Sequence, residues 1–326
     1  PAPRSSRPHS LSSKVSADRA DSSRPLYNFP SVGVYELLDL AFRWVHLIAG
    51  IMWVGNSLLF NWLDRNLEKS VDLDKLSQGK IYMVHSGAFY DVEKKLLAPG
   101  AMPKTLHWFK YQNLMTWLSG IALLIVVYYM HGASFLIDPR VAELTPAVAI
   151  SLSAGSLLVG WIVYDGLWNS YGKQHPVAAT VLSIAMLFGA IYGFAQAFGG
   201  RGAFIQTGVL IGTLMTGNVW MCIVPSQHAL VNATKNGTEQ DASLSLKAKQ
   251  RSIHNNYFTF PLLFIMISNH FPATYQHQLN WLILISVMVG GAGIRHFMNI
   301  RYLGGGLVRP PAAVLAPAAG MAGIAV

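Results

Sequence analysis

Long stretches without a charged residue dominate the hydropathy pattern of the chain. The windows free of Asp, Glu, Lys and Arg are 44–63, 111–137, 144–164, 174–200, 202–234 and 252–294. A helix needs about 20 mostly apolar residues to cross roughly 30 Å of hydrocarbon. The last window has 43 residues and a polar interruption, SNHFPATYQHQLN, so it predicts two helices. The pattern therefore predicts an all-α fold, a polytopic transmembrane helix bundle with seven spans.

The two ends of the chain differ from this pattern. Residues 1–32 predict a disordered N-terminal tail, because eight serines and five Lys or Arg fall within the first 30 residues. An Arg- and Ser-rich start is also typical of an organellar transit peptide, and the solvated tail is the simpler interpretation. Residues 33–309 form the predicted transmembrane domain. The charge-free end, 310–326, contains three prolines and predicts the start of an eighth span, which makes seven to eight spans.

The composition supports a protein embedded in a lipid bilayer. Hydrophobic residues make up 52% of the chain and charged residues 12%, whereas soluble domains have about 25% charged residues. This composition excludes a soluble two-domain enzyme, a disordered chain and a nucleic-acid module. The net charge of +9 does not imply nucleic acid, because the basic residues lie beside apolar spans, where they set topology. The single cysteine, Cys222, excludes an internal disulfide and a cysteine-based zinc site.

The distribution of Lys and Arg predicts the orientation of the spans. Sixteen lie on the side of the long 64–110 connection and seven on the side of the N-terminus. Because positive residues mark the cytoplasmic face, we expect the N-terminus outside and the 64–110 connection inside. That connection alternates aromatic residues with lysines in KIYMVHSGAFYDVEKKLLAP and LHWFKYQ, which predicts an amphipathic helix at the membrane surface. It would either cap the bundle or act as a lid.

Several ionisable residues fall within the predicted spans, where they are costly and usually face a bundle interior. They are Arg43 and His46 in the first span, Asp165 in the third, and Arg295 and His296 in the last. We expect Asp165 either to be uncharged or to pair with a cation such as Arg43 or Arg295. Three catalytic candidates, Arg43, Arg295 and His296, thus come from this group.

The chain has eleven histidines and no cysteine cluster, so haem iron or copper is the cofactor chemistry open to it. Two axial ligands of one haem must lie at similar depth on facing helices. Depth then pairs His46 with His270 or His131, and His254 with His296. His46 lies well inside an apolar helix and is the strongest candidate for a ligand. The alternative for each histidine is an interfacial or hydrogen-bonded role.

Seven strings together are more specific than these general features. They are RWVHLIAGIMWVGNSLLFNWLD (43–64), HSGAFYDVEK (85–94), LHWFKYQNLMTWLSG (106–120), WIVYDGLWN (161–169), MTGNVWMCIVPSQHALVNATKNG (215–237), HNNYFTFPLLFIMISNHFP (254–272) and IRHFMNIR (294–301). In this order and spacing they resemble the membrane domain of bacterial membrane-bound urate oxidases, also called urate hydroxylases. The resemblance covers about residues 35–303.

This resemblance implies a multi-pass protein of the bacterial inner membrane that oxidises urate to 5-hydroxyisourate in purine catabolism. In the family a c-type cytochrome domain typically follows and takes the electrons onward. The chain has no CxxCH motif, so it holds no covalent haem c. We therefore expect either a cytochrome beyond the end of this sequence or a separate cytochrome or quinone. The first-span pattern of Arg43, His46 and Trp53 is also similar to haem-binding membrane bundles, which implies a haem b at His46.

A urate site needs donors for an anion, aromatic faces for a purine ring and a proton acceptor. His254 or His296 would accept the proton, since an imidazole titrates near neutral pH. The candidate donors are Arg43, Arg295, Asn218, Gln227, Asn255 and Asn256, and the candidate stacking residues are Trp44, Trp108, Phe109, Trp220 and Tyr257.

The sequence leaves two other functions open. One is a haem-binding electron-transfer subunit of the membrane that has no substrate site of its own. The other is a permease for a purine or small anion, for which inverted repeats are expected. The two halves of the chain share no motif, which disfavours the permease.

Overall fold

The computed structural model describes residues 33–69 and 75–300. The helices within these ranges are α1 (Val34–Asn66), α2 (Tyr111–Leu123), α3 (Pro146–Asn169), α4 (Tyr171–Gln174), α5 (Pro176–Ala197), α6 (Gly200–Gly217), α7 (Val224–Lys235), α8 (Ala242–Ile267), α9 (Pro272–Tyr275) and α10 (Asn280–Ile300). Two π-helical segments, Leu124–Tyr129 and Asn218–Ile223, extend α2 and join α6 to α7. The predicted tail 1–32 and the predicted span beginning at 310 lie outside the described residues.

The prediction of an all-α bundle is confirmed, since seven long helices coincide with the seven predicted spans. Six of them are long and apolar enough to cross a membrane, counting Tyr111–Tyr129 and Gly200–Lys235 each as one helix. The seventh, α8, differs because its first half carries Lys247, Lys249 and Arg251. Helices of this length and composition make the chain a membrane protein.

The helix Gly200–Lys235 occupies the centre of the bundle. In its most apolar window 56% of the residues are buried, against 6% in α1. It packs against α2, α3, α5 and α8, whereas α1 packs mainly on α2, and α10 packs mainly on α8. The apolar side chains that α1 leaves exposed, such as Trp44 and Ile51, are suited to lipid contact.

The prediction of an amphipathic helix in the 64–110 connection is wrong. Residues Ser77–His85 and Ala88–Lys95 instead form an antiparallel hairpin, β1 and β2. Ser86 and Gly87 form its two-residue turn with φ of 52° and 77°. Positive φ at both central residues matches the right-handed twist of paired strands, so this turn selects a hairpin. The β-branched and aromatic residues on both sides then favour strands over a helix.

Gly200 lies where the backbone at the start of α6 closely approaches the end of α9. A Cβ at Gly200 would overlap the carbonyl oxygen of Tyr275, which cannot rotate away. We expect Gly200→Ala to reduce the free energy of unfolding by about 1–3 kcal/mol, the usual cost of overpacking. Gly212→Ala, in the same helix, is the matched control, because a Cβ there would meet nothing within 4 Å. Equal melting temperatures of the two variants in detergent would contradict this contact.

Candidate functional site

A buried ion pair joins α3 to α8. Arg251 is 1% exposed, and its Nη2 donates to Asp165 Oδ1 at 2.7 Å. Asn169 Nδ2 donates to the other carboxylate oxygen at 2.8 Å, and Cys222 Sγ lies 3.6 Å from Oδ1. A buried guanidinium is stable only when a partner compensates its lost hydration. Asp165 is that partner, so it pairs with a cation as expected, but the cation is Arg251 and neither Arg43 nor Arg295.

Asn218, at the start of the second π-helical segment, links Arg251 to Tyr164 and Asn255 by hydrogen bonds. Its Oδ1 accepts from Arg251 Nη1 at 3.3 Å. Its Nδ2 donates to Tyr164 Oη at 3.0 Å and to Asn255 Oδ1 at 2.9 Å. Asn255 Nδ2 in turn donates to the Met215 carbonyl oxygen at 3.0 Å. π-helical turns widen a helix locally and occur frequently at functional sites.

Tyr164 and His254 extend the network. They are in hydrogen-bond contact, and each can carry a proton. Tyr164 Oη and His254 Nδ1 are 2.6 Å apart, and the Trp168 ring centroid is 4.3 Å from that of His254. The Arg251 guanidinium lies 4.9 Å from the centre of the Tyr164 ring, in cation–π contact. We call this set the Asp165 cluster; its members are Tyr164, Asp165, Asn218, Arg251, His254 and Asn255.

A second polar group lies between α1, α8 and α10. Arg295 is 3% exposed, and its Nε donates to Asn256 Oδ1. Asn256 Oδ1 also accepts from Asn299 Nδ2 at 3.4 Å, and Asn256 Nδ2 donates to Asn61 Oδ1 at 2.7 Å. Arg65 Nη1 donates to the Asn299 carbonyl oxygen. We call these five residues the Arg295 cluster.

The two clusters meet on neighbouring positions of α8. Asn255 belongs to the Asp165 cluster and Asn256 to the Arg295 cluster. Consecutive helical residues point about 100° apart, so one helix supplies both groups. Two predicted donors, Asn218 and Asn255, therefore lie together, whereas Asn256 and Arg295 lie in the other cluster.

The remaining predicted site residues lie apart from both clusters. Arg43 is exposed and pairs with Asp39 one helical turn away, at 2.7 Å. Gln227 is exposed, and Trp108 stacks on His228 with centroids 4.3 Å apart. His296 is exposed, and its Nδ1 is 2.7 Å from Tyr257 Oη. The structure thus separates the predicted proton acceptors, because His254 is in the Asp165 cluster and His296 is not.

Arg251 and Tyr164 are the main residues that the sequence reasoning missed. The charge-free criterion begins the sixth window at residue 252, so it assigns Arg251 to a loop. A signal was nevertheless present, because Arg251, His254 and Asn255 have the i, i+3, i+4 spacing of one helix face. Tyr164 precedes Asp165 and gave no comparable signal.

His46 has the surroundings of a metal-ligating histidine. Its Nδ1 is 2.9 Å from the Thr116 carbonyl oxygen and 3.2 Å from Ser119 Oγ, on α2. A ligating histidine usually donates one ring N–H to such an oxygen and leaves the other nitrogen for the metal. Gly120 accommodates the ring, since a Cβ there would lie 3.0 Å from His46 Cε1. These contacts would suit His46 to hold a haem iron through its other ring nitrogen.

His270, the predicted second ligand, is exposed in the turn Ser268–His270, which packs against α8 and α9. Across residues 33–69 and 75–300, no three His, Cys, Asp or Glu side chains group as a metal site would require. Of the two predicted haem ligands, His46 thus has surroundings that suit a ligand, and His270 does not.

One comparison with known proteins decides the family. The family model described as urate oxidase N-terminal matches residues 33–325. The chain belongs to the urate oxidase N-terminal family. No curated protein and no solved structure matches the chain. The family assignment confirms the resemblance carried by the seven strings, and the matched range includes both polar clusters and His46.

Proposed function

We propose that this chain is the membrane domain of a urate oxidase that acts in purine catabolism at the bacterial inner membrane. It would convert urate and one water to 5-hydroxyisourate, releasing two protons and two electrons. Because a c-type cytochrome accepts one electron at a time, two equivalents would receive the pair, from a cytochrome that is fused or separate. The observation that carries this proposal is a buried network of proton carriers and anion donors, the Asp165 cluster, inside a chain of this family.

Within this network, His254 is the group suited to accept a proton from the substrate. An imidazole can both accept and release a proton, and its Nδ1 is already in contact with Tyr164 Oη. The hydroxyl both donates and accepts, so it can stay bonded to His254 in either protonation state of the ring while it accepts from Asn218. The ion pair of Asp165 and Arg251 holds Asn218 in position. Together these contacts fix the proton acceptor before substrate arrives.

The electron carrier that we propose is a haem b. His46 would hold it through Nε2, because Nδ1 faces the Thr116 carbonyl. Such a group would supply one-electron transfer between the substrate and the cytochrome. The contact between His46 Nδ1 and the Thr116 carbonyl oxygen would keep the imidazole ring in one orientation.

Urate consumption tests the proposed function directly. Membranes carrying the full protein with its haem are expected to lose urate absorbance near 293 nm when oxidised cytochrome c is supplied. Two cytochromes should be reduced for each urate consumed. Membranes from the same cells without the gene product provide the control. A haem-containing preparation that reduces no cytochrome with urate would overturn the proposal.

The ligand-like surroundings of His46 also favour the second candidate, an electron-transfer subunit without a substrate site. A visible spectrum of the purified chain, with a pyridine haemochrome assay, separates the two. A haem spectrum that changes on addition of urate supports the oxidase. A spectrum that responds to a quinol and not to urate supports the electron-transfer subunit.

A further inference from the structure

Lys110 lies among aromatic rings at the N-terminal end of α2. Its Nζ is 4.9 Å from the ring centre of Trp108, 5.5 Å from that of Tyr111 and 5.6 Å from that of Trp220. His228 stacks on Trp108 with ring centres 4.3 Å apart, and its Nε2 is 3.3 Å from the Lys110 ammonium. We call these five residues the Lys110 cage. It joins the start of α2 to the second π-helical segment and to α7.

The charge of the Lys110 ammonium is not neutralised by a described carboxylate. Within residues 33–69 and 75–300, no Asp or Glu oxygen lies within 4.0 Å of its Nζ. The faces of the three rings attract the cation, but they carry no net charge. An ammonium has three N–H donors, and His228 Nε2 can accept only one of them. The ammonium therefore keeps donors for an anion from outside the described chain.

The cage opens at the surface of the bundle, beside exposed apolar side chains. His228 is exposed, and Tyr111 is 59% exposed. Phe109 and Met221, which are sequence neighbours of cage residues, are 59% and 65% exposed. The surface thus presents a cation next to apolar groups that the protein leaves uncovered. This combination fits an amphiphilic anion better than a small soluble one, because only an amphiphile would cover both parts.

The position of the cage along the spans matches the depth of lipid headgroups. Lys110 directly precedes the span Tyr111–Tyr129. Trp and Tyr concentrate where a span meets the headgroup region, and a lysine there keeps its ammonium in that region. The cage lies on the side of the 64–110 connection, which we expect to be cytoplasmic. Anionic lipids are the negative partners available at that leaflet.

We propose that the Lys110 cage binds the phosphate of an anionic phospholipid such as phosphatidylglycerol. The ammonium would donate to phosphate oxygens as a point charge. The rings of Trp108 and Trp220 hold the ammonium in place before the lipid binds. Phe109 and Met221 would contact the acyl chains. The inference does not rest on the proposed function, because holding a lipid requires no oxidation of urate.

Replacing Lys110 by glutamine tests the site through the lipid dependence of stability. Melting temperatures of the purified full chain are compared in nanodiscs of phosphatidylcholine alone and in nanodiscs that also contain phosphatidylglycerol. We expect phosphatidylglycerol to raise the melting temperature of the natural protein, because a ligand that binds only the folded state stabilises it. Lys110→Gln should lose most of this rise, and Lys110→Arg, which keeps the charge, should retain most of it. Each variant is compared with itself in phosphatidylcholine, so a change in its intrinsic stability does not affect the difference.

Native mass spectrometry of the detergent-solubilised chain measures lipid binding directly. We expect the Kd for phosphatidylglycerol to rise about tenfold to a hundredfold in Lys110→Gln, the range for losing a charged hydrogen bond. Lys173→Gln is the matched control and should bind as the natural chain does. Lys173 is exposed in α4, just after α3 ends, and no described aromatic ring lies at cation–π distance from its ammonium. Equal losses in the two variants would indicate general attraction between basic residues and anionic lipid, and would overturn the inference.

Soluble anions distinguish a lipid site from a site for small anions. In phosphatidylcholine nanodiscs, inorganic phosphate should leave the melting temperature unchanged, because it has no acyl chains to cover the apolar residues. Any rise caused by urate should be equal in the natural protein and in Lys110→Gln. A rise with either anion that disappears in Lys110→Gln would overturn the inference. A phosphatidylglycerol effect that depends on Lys110 supports it even if the protein oxidises no urate, so the two proposals fail separately.

Discussion

Replacing Arg251 by glutamine is expected to leave little folded protein. The change removes the partner of Asp165 and leaves a carboxylate among apolar helices, which costs about 3–5 kcal/mol. It also removes the contacts with Asn218 and the Tyr164 ring. A loss of this size is comparable to the whole stability of many proteins. We expect the monodisperse peak in size-exclusion chromatography of detergent extracts to fall sharply relative to the natural chain.

The double variant Asp165→Asn with Arg251→Gln separates charge from packing. It removes both charges together, so it should recover much of the stability that either single variant loses. Arg43→Gln is the control for losing a surface arginine, because the Arg43–Asp39 pair is exposed and should contribute less than about 1 kcal/mol. If the double variant were no more stable than the single ones, the ion pair would not be the source of the effect.

Exchanging His254 for glutamine is expected to reduce kcat by about 10²- to 10⁴-fold, the usual contribution of a positioned general base. The protein should remain folded, since glutamine can still hydrogen-bond Tyr164 Oη. Steady-state rates of urate oxidation measure the loss of kcat, and size-exclusion chromatography in detergent checks that the variant is folded.

His296→Gln and His85→Gln complete this experiment. His296 is the other proton acceptor that the sequence suggests, and it lies outside the Asp165 cluster. His85 is an exposed residue at the end of β1 and serves as the neutral control. A large kcat loss in His296→Gln with full activity in His254→Gln would reverse the assignment.

The helices of this fold were predictable because charge and length decide whether a segment can span a bilayer. Every charge-free window contains a long helix, and the polar interruption after residue 267 does separate α8 from α10. The same criterion failed at α8, whose helix begins at Ala242, ten residues before the window. A membrane helix tolerates a buried arginine that has a carboxylate partner. The partner of Arg251, Asp165, lies 86 positions away in the sequence, so no local pattern around Arg251 indicates it.

The sequence predicted which types of residue form the site, and it did not predict how these residues are arranged. Asn218, Asn255, Asn256, Arg295 and His254 are all buried or half-buried in the polar clusters, as their chemistry suggested. The rotation of a helix against its neighbours cannot be read from its spacing. Arg43, Gln227 and His270 therefore lie on exposed faces, although their residue types made them candidates for the site.

The adjacency of Asn255 and Asn256 has a mechanical consequence. Both amides belong to the same helix, α8. A small rotation of α8 that shortens the contacts in one cluster must therefore change the contacts in the other. A movement of α10 against Asn256 would then alter the alignment of the imidazole and phenol on the opposite side. Thermodynamic linkage requires the reverse as well, so a change in protonation there would alter how firmly α10 is held against α8.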